Sequence, residues 1–212
     1  MAGLRIVGLG GSLREASRSR AALAVAVNGA SAAGASVELL DLRELGLPMY
    51  SAALEADPPA VVRTLIDTCY EADGMLWSSP MYNGSVSGSF KNAIDWLHLL
   101  GTREPPYLHD EVIGLISAAG GTQGLQVVNT MEFSVRSLRG WAVPYVVPVP
   151  RATRVFAESG AVQDELVEQQ LHMLGEEVVR VAERFSRDAT LHRQAECDDT
   201  AERVATPGLV SG

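Results

Sequence analysis

The segment Gly10-Gly11-Ser12-Leu13-Arg14-Glu15-Ala16-Ser17-Arg18-Ser19-Arg20 gathers the side chains of this sequence best suited to holding an anion. Glycines allow a tight turn, and free N–H groups at a following helix start can face negative charge. Ser12, Ser17 and Ser19 add hydroxyl donors, while Arg14 adds a charged fork that matches phosphate. Three arginines at a helix start oppose the positive end of its dipole, a conflict that a bound dianion offsets. The plainer alternative is a serine N-cap with solvated arginines. A dinucleotide-binding loop is a further alternative, but in Gly8-Leu9-Gly10-Gly11-Ser12-Leu13 a leucine stands where a third glycine or alanine is wanted. A loop furnished with hydroxyls and guanidinium groups suits a terminal monophosphate better than a buried pyrophosphate.

Two more segments carry comparable signals. In Ser79-Pro80-Met81-Tyr82-Asn83-Gly84-Ser85-Val86-Ser87-Gly88, Pro80 stiffens a strand exit and Asn83-Gly84 is a strong turn signal. Such a loop can offer backbone groups to the polar edge of a flat heterocycle, with Met81 and Tyr82 against its ring. It can equally be an ordinary turn into a helix capped by Ser85. In Ala118-Ala119-Gly120-Gly121-Thr122-Gln123-Gly124, paired glycines permit close backbone approach to a ligand, and the next helix start favours negative charge. Alone, this glycine loop is weak; the three segments count together if one sheet edge presents them all.

The elements between these segments supply that edge. Short β-rich runs alternate with longer helical patterns, which predicts a parallel sheet covered by helices on both faces. Strands are expected at Leu4–Leu9, Val37–Asp41, Gly74–Ser79, Val112–Ser117 and Ala142–Val149. Helices are expected at about 16–33, after Asp57-Pro58-Pro59 to Glu71, at Ser85–Leu100 and at about 124–139. A last amphipathic helix is marked by Leu171, Leu174, Val178, Val181 and Phe185. The fully apolar fourth run belongs at a sheet centre, whereas Pro144 and Pro148 send the fifth to an edge. The fold class is therefore α/β, a flavodoxin-like three-layer sandwich on a five-stranded parallel sheet of order 2-1-3-4-5. In that order ligands bind at the carboxyl ends of the strands, and all three loops leave such ends. The domain is expected over residues 1–186, with 187–212 as a polar, mobile tail.

Composition limits the remaining classes. The 212 residues fit one domain, and 47% hydrophobic with 20% charged residues is ordinary globular usage. The formal net charge of -9 argues against broad attraction to nucleic acid or to anionic membrane. Cys69 and Cys197 are far apart, in no metal-ligand spacing, and are too few for a disulfide framework. The opening Met1–Val7 shows no basic region followed by a long apolar run, so no signal peptide is expected there and the compartment read is cytoplasmic. His98, His109, His172 and His192 are scattered, so no metal site is expected. No Gly-x-Ser-x-Gly elbow exists, because Val86 occupies the centre of Gly84–Gly88. Cys69 reads as core packing, Lys91 and Asp95 as a pair across one helix turn, and Trp96 and Tyr70 as core or subunit-interface residues.

The three segments together resemble the NADPH-dependent FMN reductase family, over roughly residues 4 to 150. The resemblance rests on Gly11–Ser19, on Pro80–Ser85 continued through Gly88 and Phe90–Trp96, and on Ala119-Gly120-Gly121 with Gly124. It implies that Ser12, Arg14, Ser17 and Ser19 hold the phosphate of FMN. Pro80, Met81, Tyr82, Asn83 and Gly84 would line one edge of the isoalloxazine, and Gly120 and Gly121 its other side. It implies NAD(P)H as donor, with free flavin, a quinone or a similar small molecule as acceptor. A flavin-dependent monooxygenase is a further partner it suggests, and a homodimer or homotetramer the assembly. Hydride transfer through a flavin needs no protein acid or nucleophile, so no catalytic side chain is expected. Family members usually carry proline where this chain has Ser87, and leucine where it has Phe90. Losing a stiffening residue there is expected to alter ring geometry or substrate access. An FMN-binding electron carrier or redox-responsive interaction protein without enzymatic activity is the alternative.

Overall fold

The computed structural model describes residues 3–205, with side chains through Ser186. Five parallel strands, β1 (Arg5–Gly10), β2 (Ser36–Asp41), β3 (Gly74–Pro80), β4 (Val112–Ala118) and β5 (Trp141–Val149), lie in the order β2-β1-β3-β4-β5. The register sets Leu9 beside Trp77 and Trp77 beside Leu115 across the centre. Around the sheet run α1 (Arg18–Ala32), α2 (Leu42–Leu45), α3 (Ala60–Tyr70), α4 (Gly88–Trp96), α5 (Leu125–Ser137), α6 (Ala152–Val155) and α7 (Glu165–Ala205). The expected strand order and both edges are therefore present. α7 continues beyond Ser186, where the sequence ends its apolar period. The tail expectation otherwise falls on side chains and terminal residues outside the described ones.

Each central strand feeds two cores because successive side chains point to opposite faces. Val7, Leu9, Met75, Trp77, Ile113 and Leu115 pack against α3, α4 and α5, while Ile6, Leu76, Val112 and Ile116 pack against α1 and α7. Every residue of β3 and β4 is buried, as strands covered on both faces must be. The second face is paved with glycine. A Cβ at Gly114 would stand 2.8 Å from Val178 and from Leu76, so its absence lets α7 sit directly on the sheet.

Several boundaries shift from the sequence expectation, each for a local reason. α1 starts at Arg18, two residues later than expected, because Ser17 is extended and accepts the Arg20 N–H as its N-cap. α4 is capped by Ser87 rather than Ser85, whose backbone is engaged in a bridge to Tyr82. α4 also ends at Trp96 and tightens into a 3-10 stretch over Leu97–Thr102. Trp96 belongs to the core at 0% exposure, its indole N–H donating to Pro48 O. Cys69 is likewise core, and burial, followed by the nearby Glu111 charge, pushes its thiol well up. Lys91 and Asp95 do pair. No helix among the described residues is long and apolar enough to cross a membrane.

Candidate functional site

The loops after β1, β3 and β4 meet over the carboxyl ends of the strands, where an open parallel sheet presents ligand sites. The first is fixed from beneath. Gly11 N donates to Ser78 O at 3.1 Å, and a Cβ on Gly10 would collide with the Ser78 backbone, so only glycine lets β1 leave the sheet so close to β3. The chain then turns through Gly11 at φ +97, a region glycine enters without strain. Ser12, Ser17 and Ser19, all buried, bring their hydroxyls together: Ser12 Oγ donates to Ser17 Oγ at 3.1 Å, and Ser17 and Ser19 Oγ share a bond of 3.1 Å. Ser17 also caps α1, so the capping reading and the hydroxyl cluster hold together in one residue.

The three arginines of this loop divide. Arg20 pairs with buried Asp41, at the end of β2, and reaches Glu44 at 3.9 Å, so it braces β2 against α1. Arg14 is exposed, and its guanidinium makes no hydrogen bond or ion pair among the described residues. Arg18 sends one terminal nitrogen to Ala16 O at 3.2 Å, while its Nε is buried without a partner. A buried, unpartnered guanidinium nitrogen is costly unless an anion meets it.

The second loop is a tight hairpin turn. Tyr82 and Ser85 exchange backbone hydrogen bonds at 3.0 and 3.1 Å, and Asn83 and Gly84 have φ of 50 and 82. Two positive φ values in a row are what Asn-Gly tolerates best. Met81 N donates to Ala118 O at 3.0 Å, which ties this loop to the end of β4. In the third loop, a Cβ at Gly120 or Gly121 would meet nothing within 4 Å. Gly121 O accepts from Arg151 N at 2.8 Å, locking that loop to the turn after β5, where Arg151 has φ 46.

One hollow of about 120 Å³ is lined by Ser12, Arg14, Ser17, Ser19, Pro80, Met81, Tyr82 and Gly120. Asn83, Gly84 and Gly121 do not line it; the first two form the turn beyond Tyr82, and Gly121 carries backbone contacts behind Gly120. Ala16, Arg18, Ala118, Ala119, Ala152 and Thr153 also line it without having been singled out in the sequence. Arg18 was legible only as one of three arginines. Thr153 enters because the chain after β5 returns across the same strand ends, with Ala152 N donating to Ala119 O at 2.9 Å.

The site thus joins a hydroxyl cluster with the uncommitted Arg14 guanidinium and a partly engaged Arg18, a rigid apolar hairpin and a pair of open glycines. Such a set can hold a phosphate at one end and a flat polar ring at the other. Comparison with known proteins gives the same direction. The model of the family described as NADPH-dependent FMN reductase matches residues 4–154. An NAD(P)H-dependent FMN reductase of Pseudomonas aeruginosa is 33% identical over 181 residues, 81% of this chain and 93% of that one. An NAD(P)H:quinone oxidoreductase of Solanum tuberosum is 36% identical over 125 residues, 57% of this chain and 61% of its own length. Among solved structures, the flavoenzyme NAD(P)H:(acceptor) oxidoreductase FerB of Paracoccus denitrificans superposes with a TM-score of 0.71 at 24% identity, over 86% of this chain and 98% of that one, a likeness of fold.

Proposed function

The chain belongs to the NADPH-dependent FMN reductase family, and on that premise we propose that it oxidises NAD(P)H through bound FMN and hands the electrons to a small acceptor such as free flavin or a quinone. The observation that carries this reading is the convergence of Ser12, Ser17 and Ser19 with the Pro80–Tyr82 hairpin and Gly120 around one hollow.

The residues fit the cofactor. Arg14, whose guanidinium is free, and Arg18 line the hollow together with the serine hydroxyls, a residue set suited to a dianionic phosphate. Ser12, Arg14, Ser17 and Ser19 hold that phosphate in this reading, with Arg18 as a further donor. Pro80, Met81 and Tyr82 border one edge of the ring, and the Asn83-Gly84 turn keeps Tyr82 in place. Gly120 and Gly121 leave room at the other side, and the start of α5 beyond them favours negative charge there. FMN, when bound, supplies the redox chemistry, accepting a hydride from nicotinamide and passing two electrons to the acceptor. The protein's own work is to bind, orient and fix charge, so no side chain is assigned as acid, base or nucleophile.

The relatives compared above are named as oxidoreductases, which favours an enzyme over a passive carrier. Delivery of reduced flavin to a partner monooxygenase, a homodimeric or homotetrameric assembly and a cytoplasmic setting belong to the same proposal. They rest on the family resemblance and, for the compartment, on the sparse cysteines. The test is anaerobic stopped-flow absorbance of FMN-loaded protein mixed with NADPH and, separately, with NADH. Rapid bleaching of the flavin band, reversed by a quinone or oxygen, is expected. A protein that binds FMN and stays yellow with both donors would overturn the reductase reading.

A further inference from the structure

The turn after β5 borders the flavin hollow and is held there by its backbone. Arg151 N donates to Gly121 O at 2.8 Å and Ala152 N to Ala119 O at 2.9 Å, which fastens the turn to the glycine loop after β4. Ala152 and Thr153 then line the hollow together with Arg14, the three serines and Gly120. Five non-glycine residues among the described ones have positive φ, and they divide between the two ends of the sheet. Tyr107 and Asp110 precede β4 and Arg139 precedes β5, whereas Asn83 and Arg151 follow β3 and β5, at the carboxyl ends. Asn83 belongs to a tight turn that asparagine suits. Arg151, at φ 46 and ψ 44, has no such local reason: a long side chain is strained there and glycine would not be.

What arginine adds at this position is its guanidinium. Arg151 is exposed, as is Arg154 three residues on, and neither guanidinium makes a hydrogen bond or ion pair among the described residues. Beside them Gly120 and Gly121 leave open space, with no atom within 4 Å of where a Cβ would stand. The chain as a whole carries a formal net charge of -9, so a polyanion approaching these strand ends needs a local cation to dock. Arg14 serves the flavin phosphate in the reading above, which leaves Arg151 for a second anion entering over the open glycines. The donor proposed above, NAD(P)H, is such an anion, and a guanidinium fork matches its phosphates. We infer that Arg151 binds a phosphate group of the nicotinamide donor at the open side of the flavin site, and so sets donor affinity.

The inference rests on the reductase reading proposed above, and two readouts keep the two apart. Binding of NADP+ and of NAD+ to FMN-loaded protein is measured by calorimetry, and KM and kcat for NADPH and NADH are measured with a quinone acceptor. The variants are Arg151→Gly, Arg151→Lys and, as a control of equal charge, Arg139→Gly, which removes an arginine of positive φ at the other end of the sheet. Arg151→Gly is expected to weaken nucleotide binding and raise KM by about tenfold, with kcat moving far less. It should keep its flavin and melt no lower than the wild type, because glycine relieves the strained backbone. Arg151→Lys should recover part of the loss, and kcat/KM should depend less on salt in Arg151→Gly than in the wild type. A loss confined to NADP+ and NADPH assigns the contact to the 2′-phosphate, and an equal loss for every nucleotide assigns it to the pyrophosphate. Nucleotide binding by Arg151→Gly within about twofold of the wild type, or an equal loss in Arg139→Gly, overturns the inference. Weakened binding of NADP+ or NAD+ by Arg151→Gly, in a protein that neither donor reduces, would uphold the contact and sink the reductase reading.

Discussion

Ser87 donates its backbone N–H to Ser79 Oγ at 3.0 Å, spanning the turn that carries the chain from β3 into α4. Ser79 in turn donates its hydroxyl to Pro80 O at 3.0 Å, and Ser87 Oγ accepts from Phe90 N at 3.2 Å. The hairpin is therefore held at its base by two buried serines. This answers the departure from the family pattern, where proline is usual at the position of Ser87. A proline would fit the φ of -66 but could make neither bond.

Ser87→Ala should remove the cap and the 3.1 Å hydroxyl contact to Ser89, keep the N–H bond to Ser79, and cost about 1 kcal/mol of stability. Ser87→Pro removes the cap and the bond to Ser79, partly offset by a stiffer unfolded chain, and should cost about 1–2 kcal/mol. Urea unfolding with an unchanged m-value checks the order. A proline variant as stable as the wild type would show that the Ser79 bond contributes nothing.

Arg14 and Arg20 should part company when each is replaced by alanine. Arg14 is uncommitted at the phosphate hollow, so its loss should weaken FMN by about 1.5–3 kcal/mol, the range for a hydrogen bond to a charged group. Arg20 braces Asp41, so Arg20→Ala should lower stability and leave FMN affinity nearly as it was. Calorimetric titration with FMN and a thermal melt on each variant decide it. Equal loss of affinity in both would mean that Arg20 also reaches the phosphate.

The contrast between these arginines shows where sequence reading stops. Strand order was legible because apolar runs, Pro144 and Pro148 report burial and edges directly. The Asn83-Gly84 turn was legible because its backbone demand is local. The sequence reading puts the α4 cap at Ser85; the Tyr82–Ser85 bridge, a matter of geometry, moves it to Ser87. Arg14, Arg18 and Arg20 likewise look alike until β2 brings Asp41 up to one of them. The seating of the Phe156–Val162 hairpin over α1 and the return of Thr153 to the site depend on contacts distant in sequence, which no periodicity announces.

Glu111 sets a pH dependence far from the cofactor. It is 6% exposed at the entrance to β4, its Oε2 has no hydrogen-bond partner, and burial, then the Asp73 charge, pushes its carboxyl well above the ordinary 4.5. A carboxyl whose pKa is raised by folding adds stability that is complete below its unfolded pKa and is lost as pH rises through its folded one. Stability should therefore decline from mildly acid pH upward, and Glu111→Gln should flatten that decline. Urea midpoints across the acid-to-alkaline range measure it. Parallel curves for wild type and variant would clear Glu111 of any part.

Gly29 of α1 and Gly175 of α7 make the crossing of these helices possible, and the two should behave as one unit. A Cβ on Gly29 would stand 2.7 Å from His172 Cα, and one on Gly175 would stand 2.6 Å from Ala30 N. Both obstacles are backbone, which cannot swing aside as a side chain does. Each glycine-to-alanine change forces the helices apart and should cost about 1–3 kcal/mol, the usual range for overpacking. Once one change has moved α7 outward, the second meets a gap already opened. The double variant should then lose clearly less than the sum of the singles, a coupling of about 0.5 kcal/mol or more. Strict additivity in a double-mutant cycle by urea unfolding would mean that each clash relaxes locally and the helices do not separate.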